Sequence, residues 1–153
     1  MSAYYLIWNP SKWTWEKYHK FQQGLTSLPI EENWSVNSKK LNKGDTVFLL
    51  LVGDSTSRKG IIAKGYLKND VFEAPHFDKD VAKSGKTRVN ATIVFTEIVD
   101  TAKGDVLSLK YLRDKYYTST WRIQSNGASI PNNILINLEK DWQQHYKNNK
   151  KYL

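Results

Sequence analysis

The sequence contains no cysteine and only three histidines, His19, His76 and His145. Absence of cysteine excludes disulfides, thiol nucleophiles and the common structural zinc sites, and it fits a reducing, cytoplasmic compartment. Scarcity of histidine argues against a catalytic triad, since no Gly-x-Ser-x-Gly surrounds any serine to place a nucleophile beside a base. Metal ligation needs clustered side chains, whereas His76 and Asp78 stand close only to each other and Glu31-Glu32 lie beside no histidine. Gly85-Lys86-Thr87 and Gly104-Asp105 lack the upstream glycine of a phosphate-binding loop. Neither a metal nor a cofactor is therefore expected, and the chain reads as non-enzymatic. No apolar run reaches transmembrane length, and Tyr4-Tyr5-Leu6-Ile7-Trp8 is stopped by Asn9-Pro10 before it could form a signal-peptide core.

What the chain has in excess is tryptophan and positive charge. Six tryptophans occur in 153 residues, with Trp8, Trp13 and Trp15 in one short segment. Each indole buries a large apolar area but carries an N–H that must find a partner, so a small core needs only one or two. Stacking on a planar ligand such as a nucleobase is the alternative use. Lysine and arginine number 23 against 15 acidic residues, a formal charge of +8, which favours an anionic partner. Solubility alone accounts for such a charge in many small domains. The length fits one domain, taken as residues 1–146 with a basic tail over 147–153.

Apolar patterning predicts a strand over residues 3–8, ended by Asn9-Pro10, and a helix from Thr14, as N-cap, to about Leu25, with Gly24 as its stop. Residues 33–40 read as a polar segment, loop or short helix, before the Lys43-Gly44-Asp45 turn. Residues 46–52 form a continuous apolar run, as in a central strand covered on both faces, and pair as a hairpin with 60–67, whose glycines permit bending or close approach. Residues 73–88 are loop-like and 88–95 alternate as a strand. A short helix over 107–113, a strand or arm over 118–123 and a terminal helix from Pro131, burying Leu135, Leu138 and Trp142 and fraying from Lys147, complete an α+β domain with a curled sheet or small barrel.

Each aromatic has a packing reading beside a binding one. Trp8 sits on a strand and Trp15 points inward, while Trp13, of opposite parity, is partly exposed. Trp34 stands among Asn33, Ser35 and Asn37, with no apolar stripe to bury it. After Trp121, the amides and hydroxyl of Gln124, Ser125 and Asn126 suit a Watson–Crick edge, and Gly127 would allow close backbone approach to a ring; a polar turn is the plain alternative. Lys39, Lys40, Arg58, Lys59, Lys83, Lys86 and Arg88 fall in flanking loops and suit phosphate contacts.

In their order along the chain, Tyr4-Tyr5-Leu6-Ile7-Trp8-Asn9-Pro10, Lys12-Trp13-Thr14-Trp15, Trp34-Ser35-Val36-Asn37, Lys43-Gly44-Asp45, Gly60-Ile61-Ile62-Ala63-Lys64-Gly65, Val89 to Phe95, Leu107-Ser108-Leu109 and Ile123-Gln124-Ser125 resemble the EVE domain of the PUA-like superfamily, related to YTH and ASCH domains. The W-N-P-x-x-W-x-W opening looks like the version fused to HNH nucleases in modification-dependent restriction. The resemblance implies a PUA-like curled mixed sheet or small barrel flanked by short helices, and a reader that holds a flipped, modified base, such as 5-methylcytosine or 5-hydroxymethylcytosine in DNA, in an aromatic cage. Carried over by position, Trp34 is the leading wall, with Ser35, Val36 and Asn37 as hydrogen-bonding neighbours. Trp8, Asn9 and Trp15 line the next wall; Trp121 and Gln124, Ser125, Asn126 and Gly127 close the pocket, with His76 or Phe77 contributing. The chain itself carries no nuclease domain, so cleavage would need a partner or a further portion of chain. A YTH-like reader of modified RNA and an ASCH-like hydrolase of a modified nucleoside are the alternatives.

Overall fold

A computed structural model of the chain describes residues 2–53, 58–75, 79–117, 121, 123 and 125–150. Eight strands and four helices follow in the order β1 (Ala3–Trp8), α1 (Glu16–Gln22), β2 (Ile30–Ser35), β3 (Thr46–Leu51), β4 (Gly60–Leu67), β5 (Phe72–Pro75), α2 (Lys79–Lys83), β6 (Thr87–Ile98), β7 (Leu107–Ser108), α3 (Leu109–Lys115), β8 (Ala128–Ser129) and α4 (Asn132–Asn149). All strands join one mixed sheet, ordered β2-β6-β4-β3-β1-β8, with β5 on β6 and β7 on β4. Only β1 and β3 run parallel, Ala3 opposite Thr46 through Trp8 opposite Leu51; the other pairs are antiparallel. The sheet curls without closing. The α+β class and the curled mixed sheet flanked by helices are as expected.

The continuous apolar runs of β1 and β3 arise because both faces of the sheet are covered. Alternate residues Tyr4, Leu6, Trp8, Val47, Leu49 and Leu51 join one core with Trp15, Tyr18 and Trp34. Their neighbours Ala3, Tyr5, Phe48 and Leu50 join the second, under α3 and α4, with Leu112, Trp121, Leu138 and Trp142. Register shifts leave Ile62 of β4 unpaired opposite Leu49 and Leu50, and Thr96 of β6 unpaired opposite Lys64 and Gly65, and these bulges bend β4 and β6. The glycines of β4 serve the close approach expected of them: a Cβ on Gly60 would lie 2.2 Å from the Leu107 carbonyl oxygen, and one on Gly65 2.4 Å from that of Val94.

Several elements differ from the sequence reading, each for a tertiary reason. Residues 30–35 are a strand, because β2 pairs along its whole length with β6, Ile30 opposite Phe95 through Ser35 opposite Asn90. Residues 73–88, read as loop, contribute β5, which pairs with the start of β6, and the single-turn α2. Leu107 and Ser108 extend the sheet beside β4, and α3 begins only at Leu109, with Ser108 Oγ accepting from the Tyr111 amide at 3.4 Å. Helix α1 is shorter than predicted; its N-cap is Trp15, without a side-chain cap bond, although Gly24 does terminate the turn at φ 73°. In α4 the buried stripe is Ile134, Leu138 and Trp142, with Leu135 half-buried, and the helix continues through Lys147 to Asn149.

Candidate functional site

The two ends of the curled sheet approach each other at β1 and β2, and a cleft of about 460 Å³ lies there. Ile7, Trp8 and Asn9 come from the end of β1, Lys12 and Trp13 from the turn that follows, Asn33, Trp34 and Ser35 from β2. Pro75 of β5, Arg88 and Asn90 of β6, and Asn126 of the loop before β8 complete the lining. The volume is in the range of small-molecule sites, and the walls combine indoles with a few polar groups.

Asn126 bolts the two ends together. On the β8 side, β1 presents alternate backbone groups: Ile130 donates to the Ala3 carbonyl at 2.9 Å and Gly127 to that of Tyr5 at 2.8 Å. The short β8 does not reach Ile7, whose amide donates instead to Asn126 Oδ1 at 2.7 Å. The same oxygen accepts from Trp34 Nε1 at 3.1 Å, and the Asn126 carbonyl accepts from the Asn37 amide at 2.9 Å. Two donors on Oδ1 fix the carboxamide orientation.

Tryptophans of this region form a nested cluster. Trp15 is wholly buried, stacked on Tyr18 at 5.5 Å and 18°, and it meets Trp8, Trp34 and Phe95 at ring separations of 5.5, 5.4 and 5.0 Å. Its Nε1 has no hydrogen-bond partner among the described residues. Burial pushes the Tyr18 hydroxyl up from its ordinary value, against the lowering effect of its hydrogen bonds with Thr101. Above these rings lies Trp13, stacked over Trp15 at 6.3 Å and 18° and edge-on to Trp34 at 5.0 Å and 90°. Its backbone is held by Trp8 Nε1, which donates to the Trp13 carbonyl at 2.9 Å. Trp13 is 43% exposed whereas Trp34 is 4% exposed, so Trp13 offers the cleft its open ring and Trp34 contributes mainly an edge.

The cage expected from sequence is thus redistributed. Trp34, Ser35, Trp8 and Asn9 do line the cleft. Trp15 lies behind the wall, and Val36 is core, its amide donating to the Val89 carbonyl at 2.9 Å. Asn37 is outside the lining and contributes a backbone amide to Asn126. Trp121 belongs to the opposite core: its ring packs against Tyr5 at 5.6 Å and its Nε1 donates to the Tyr116 carbonyl at 3.1 Å. Ser125 does not line the cleft, and Gly127 faces Leu41 and Ser38 rather than a ligand ring. His76, Phe77 and Gln124 lie outside the described residues.

Among the flanking cations, only Arg88 lines the cleft. Lys39 pairs with Glu73 at 3.3 Å, and Arg58 donates to the Thr101 carbonyl at 2.8 Å. Lys40, Lys59, Lys83 and Lys86 are exposed outside the lining. Lys12, Trp13, Asn33, Pro75 and Asn90 were not singled out as site residues by sequence. The parity of Trp13 against Trp15 was the one local signal, since the tryptophan left outside the core is the one available to a ligand.

The fold has solved counterparts. No family model matches the chain, and no curated protein matches it. A structure of a hypothetical protein from Leishmania major aligns at a TM-score of 0.61 and 14% identity, covering 94% of this chain and 96% of that one. A crystal structure of a Pseudomonas syringae protein aligns at 0.58 and 13%, covering 90% and 97%. An NMR structure of a Rhodopseudomonas palustris protein aligns at 0.51 and 14%, covering 100% and 96%. At these identities the likeness concerns the fold alone. No group of three metal-ligating side chains occurs among the described residues, and no helix there is long and apolar enough to cross a membrane.

Proposed function

We propose that the chain is a non-catalytic reader of nucleic acid that takes a flipped, modified base, a modified cytosine of DNA, into the cleft between β1 and β2. The single observation that carries this reading is Trp13: five of the six indoles are buried, and the sixth lies half-open on the wall of a base-sized cleft. A buried stack of Trp15 and Tyr18 holds that ring from beneath. Extruding a base costs a few kcal/mol of stacking, which one aromatic platform offsets by roughly 1–3 kcal/mol, with the remainder left to edge hydrogen bonds.

Those bonds have donors and an acceptor at hand. The Asn126, Asn9 and Asn33 side-chain oxygens are engaged by Trp34, Ser11 and Thr92, respectively, and their amino groups have no partner among the described residues. Asn90 is reversed, its Nδ2 donating to the Arg88 carbonyl at 3.1 Å and its Oδ1 remaining an acceptor suited to an exocyclic amine. The net charge of +8 supports attraction to the backbone. The resemblance to EVE domains points to the same chemistry, and any cleavage of the bound strand would belong to a nuclease domain or subunit outside this chain.

The test is a titration of oligonucleotides that differ at one cytosine, plain or C5-modified, as DNA and as RNA, at two salt concentrations. The expected result is a preference for the modified DNA strand that survives the higher salt and disappears in Trp13→Ala while the melting temperature is retained. Equal affinity for all strands with steep salt dependence would leave only a basic surface and refute the reading.

A further inference from the structure

The cleft is asymmetric in its hydrogen-bonding character. Among its described lining residues there are two cations, Lys12 and Arg88, three asparagine amino groups with no acceptor among the described residues, and no carboxylate. Against this excess of donors stands Asn90 Oδ1. A ligand that satisfies such a wall is rich in acceptors, because every uncommitted N–H that is desolvated without a partner weakens binding.

Arg88 focuses that demand. Its Nε donates to Ser35 Oγ at 2.9 Å, and both side chains line the cleft, so the guanidinium plane is anchored at its inner nitrogen. No salt bridge engages it among the described residues. Held in this way, the outer Nη1 and Nη2 groups form the fork that binds a carboxylate with two parallel hydrogen bonds. The loop lysines differ from it: Lys39 is paired with Glu73, and Lys40, Lys83 and Lys86 lie outside the lining, where only backbone phosphates would reach them.

We propose that Arg88 is the specificity-determining residue of the cleft and that it reads an oxyanion carried on the base itself, a C5-carboxylate on the flipped pyrimidine. The ring stacks on Trp13, the carboxylate meets the Arg88 fork, and the exocyclic amine of cytosine reaches Asn90 Oδ1. This rests on the base-reading function above, and it adds which substituent the site selects. A methyl group at the same position makes no charge-assisted hydrogen bond with the guanidinium.

The experiment measures affinities for one oligonucleotide carrying cytosine, 5-methylcytosine or 5-carboxylcytosine at the same position, for the natural chain and for Arg88→Gln, Arg88→Lys and Ser35→Ala, with thermal melting of each. The expected ratio of carboxyl to methyl affinity is about tenfold or more, the size of a charge-assisted bidentate pair. It falls to near unity in Arg88→Gln and most of the way in Arg88→Lys, which keeps the charge but loses the fork. Ser35→Ala lowers the ratio by a smaller factor, because the guanidinium remains but is no longer held. If Arg88→Gln weakens all three strands and leaves the ratio intact, Arg88 is a backbone contact and the proposal is overturned. Equal affinity for the carboxyl and methyl strands overturns it as well while leaving the reader function standing; no preference for either modified strand over plain cytosine refutes that function itself.

Discussion

Replacing Asn126 with alanine removes one side-chain oxygen that serves both ends of the sheet. The Ile7 amide, 2.7 Å from it, and Trp34 Nε1, 3.1 Å from it, would both lose their acceptor. Leaving a buried donor unpaired costs about 1–3 kcal/mol. Asn126 is half-buried, so water reaches part of this space and the low end applies to each donor. The sum is about 2 kcal/mol, and for a domain near this size that lowers the melting temperature by roughly 4–8 °C. Asn126→Asp is the decisive companion. An aspartate keeps an acceptor for Ile7 and Trp34 and so retains the stability, yet it replaces an amino donor with negative charge in a cleft whose charged residues, among those described, are Lys12 and Arg88. Thermal melting of both variants, with a nucleic-acid titration of the aspartate form, separates the effects. An alanine variant as stable as the natural chain, or an aspartate variant that melts as low as alanine, would show that Asn126 does not hold the seam.

Trp34→Ala should cost about 3–5 kcal/mol, as for other buried aromatics, and a denaturant midpoint close to that of the natural chain would return Trp34 to the role of an open cage wall. Gly65→Ala should destabilise strongly, because its new methyl would sit 2.4 Å from the Val94 carbonyl oxygen of the partner strand; soluble expression with unchanged melting would contradict the close β4–β6 approach. Alkaline pH should unfold the protein earlier than ordinary tyrosines imply. Burial raises Tyr5, Tyr18 and Tyr116 above the usual value of 10.0, so the folded state keeps protons that the unfolded chain releases. Stability is therefore full below pH 10.0 and falls as pH rises above it; a flat melting temperature from pH 9 to about 11 would refute the assignment.

Strong periodicity was legible in sequence wherever both faces of a strand are buried. Residues 46–51 and 60–67 announced themselves as a hairpin, and the glycines within the second run announced the close approach. Strand β2 was not legible, because its buried positions are Ile30 and Trp34 alone and the residues between them face outward or lie half-buried. The same polar surroundings made Trp34 and Trp121 look like pocket residues. Each is in fact packed by partners distant in sequence, Phe95 for the one and Tyr5 for the other. Polar neighbours in a chain thus say little about a tryptophan when the strand or loop that buries it comes from elsewhere. Trp13 carried a usable signal, its parity against Trp15, and the polar run after Trp121 pointed to Asn126, though not to its role in joining β1 to β2.

The cleft draws its walls from the end of β1 and the turn after it, from β2, from Pro75, from Arg88 and Asn90, and from Asn126, a spread that ties the cleft to most of the chain. During synthesis the seam must wait for Asn126, long after β1 has emerged, and such distant pairings are slow to form. Partial opening at either edge of the sheet should disturb the cleft, since its lining comes from both edges. Binding at the proposed site should therefore stabilise the global fold rather than a local segment. At a concentration one hundred times Kd the gain is about 2.7 kcal/mol, and amide hydrogen exchange should slow across both cores together instead of at the cleft alone.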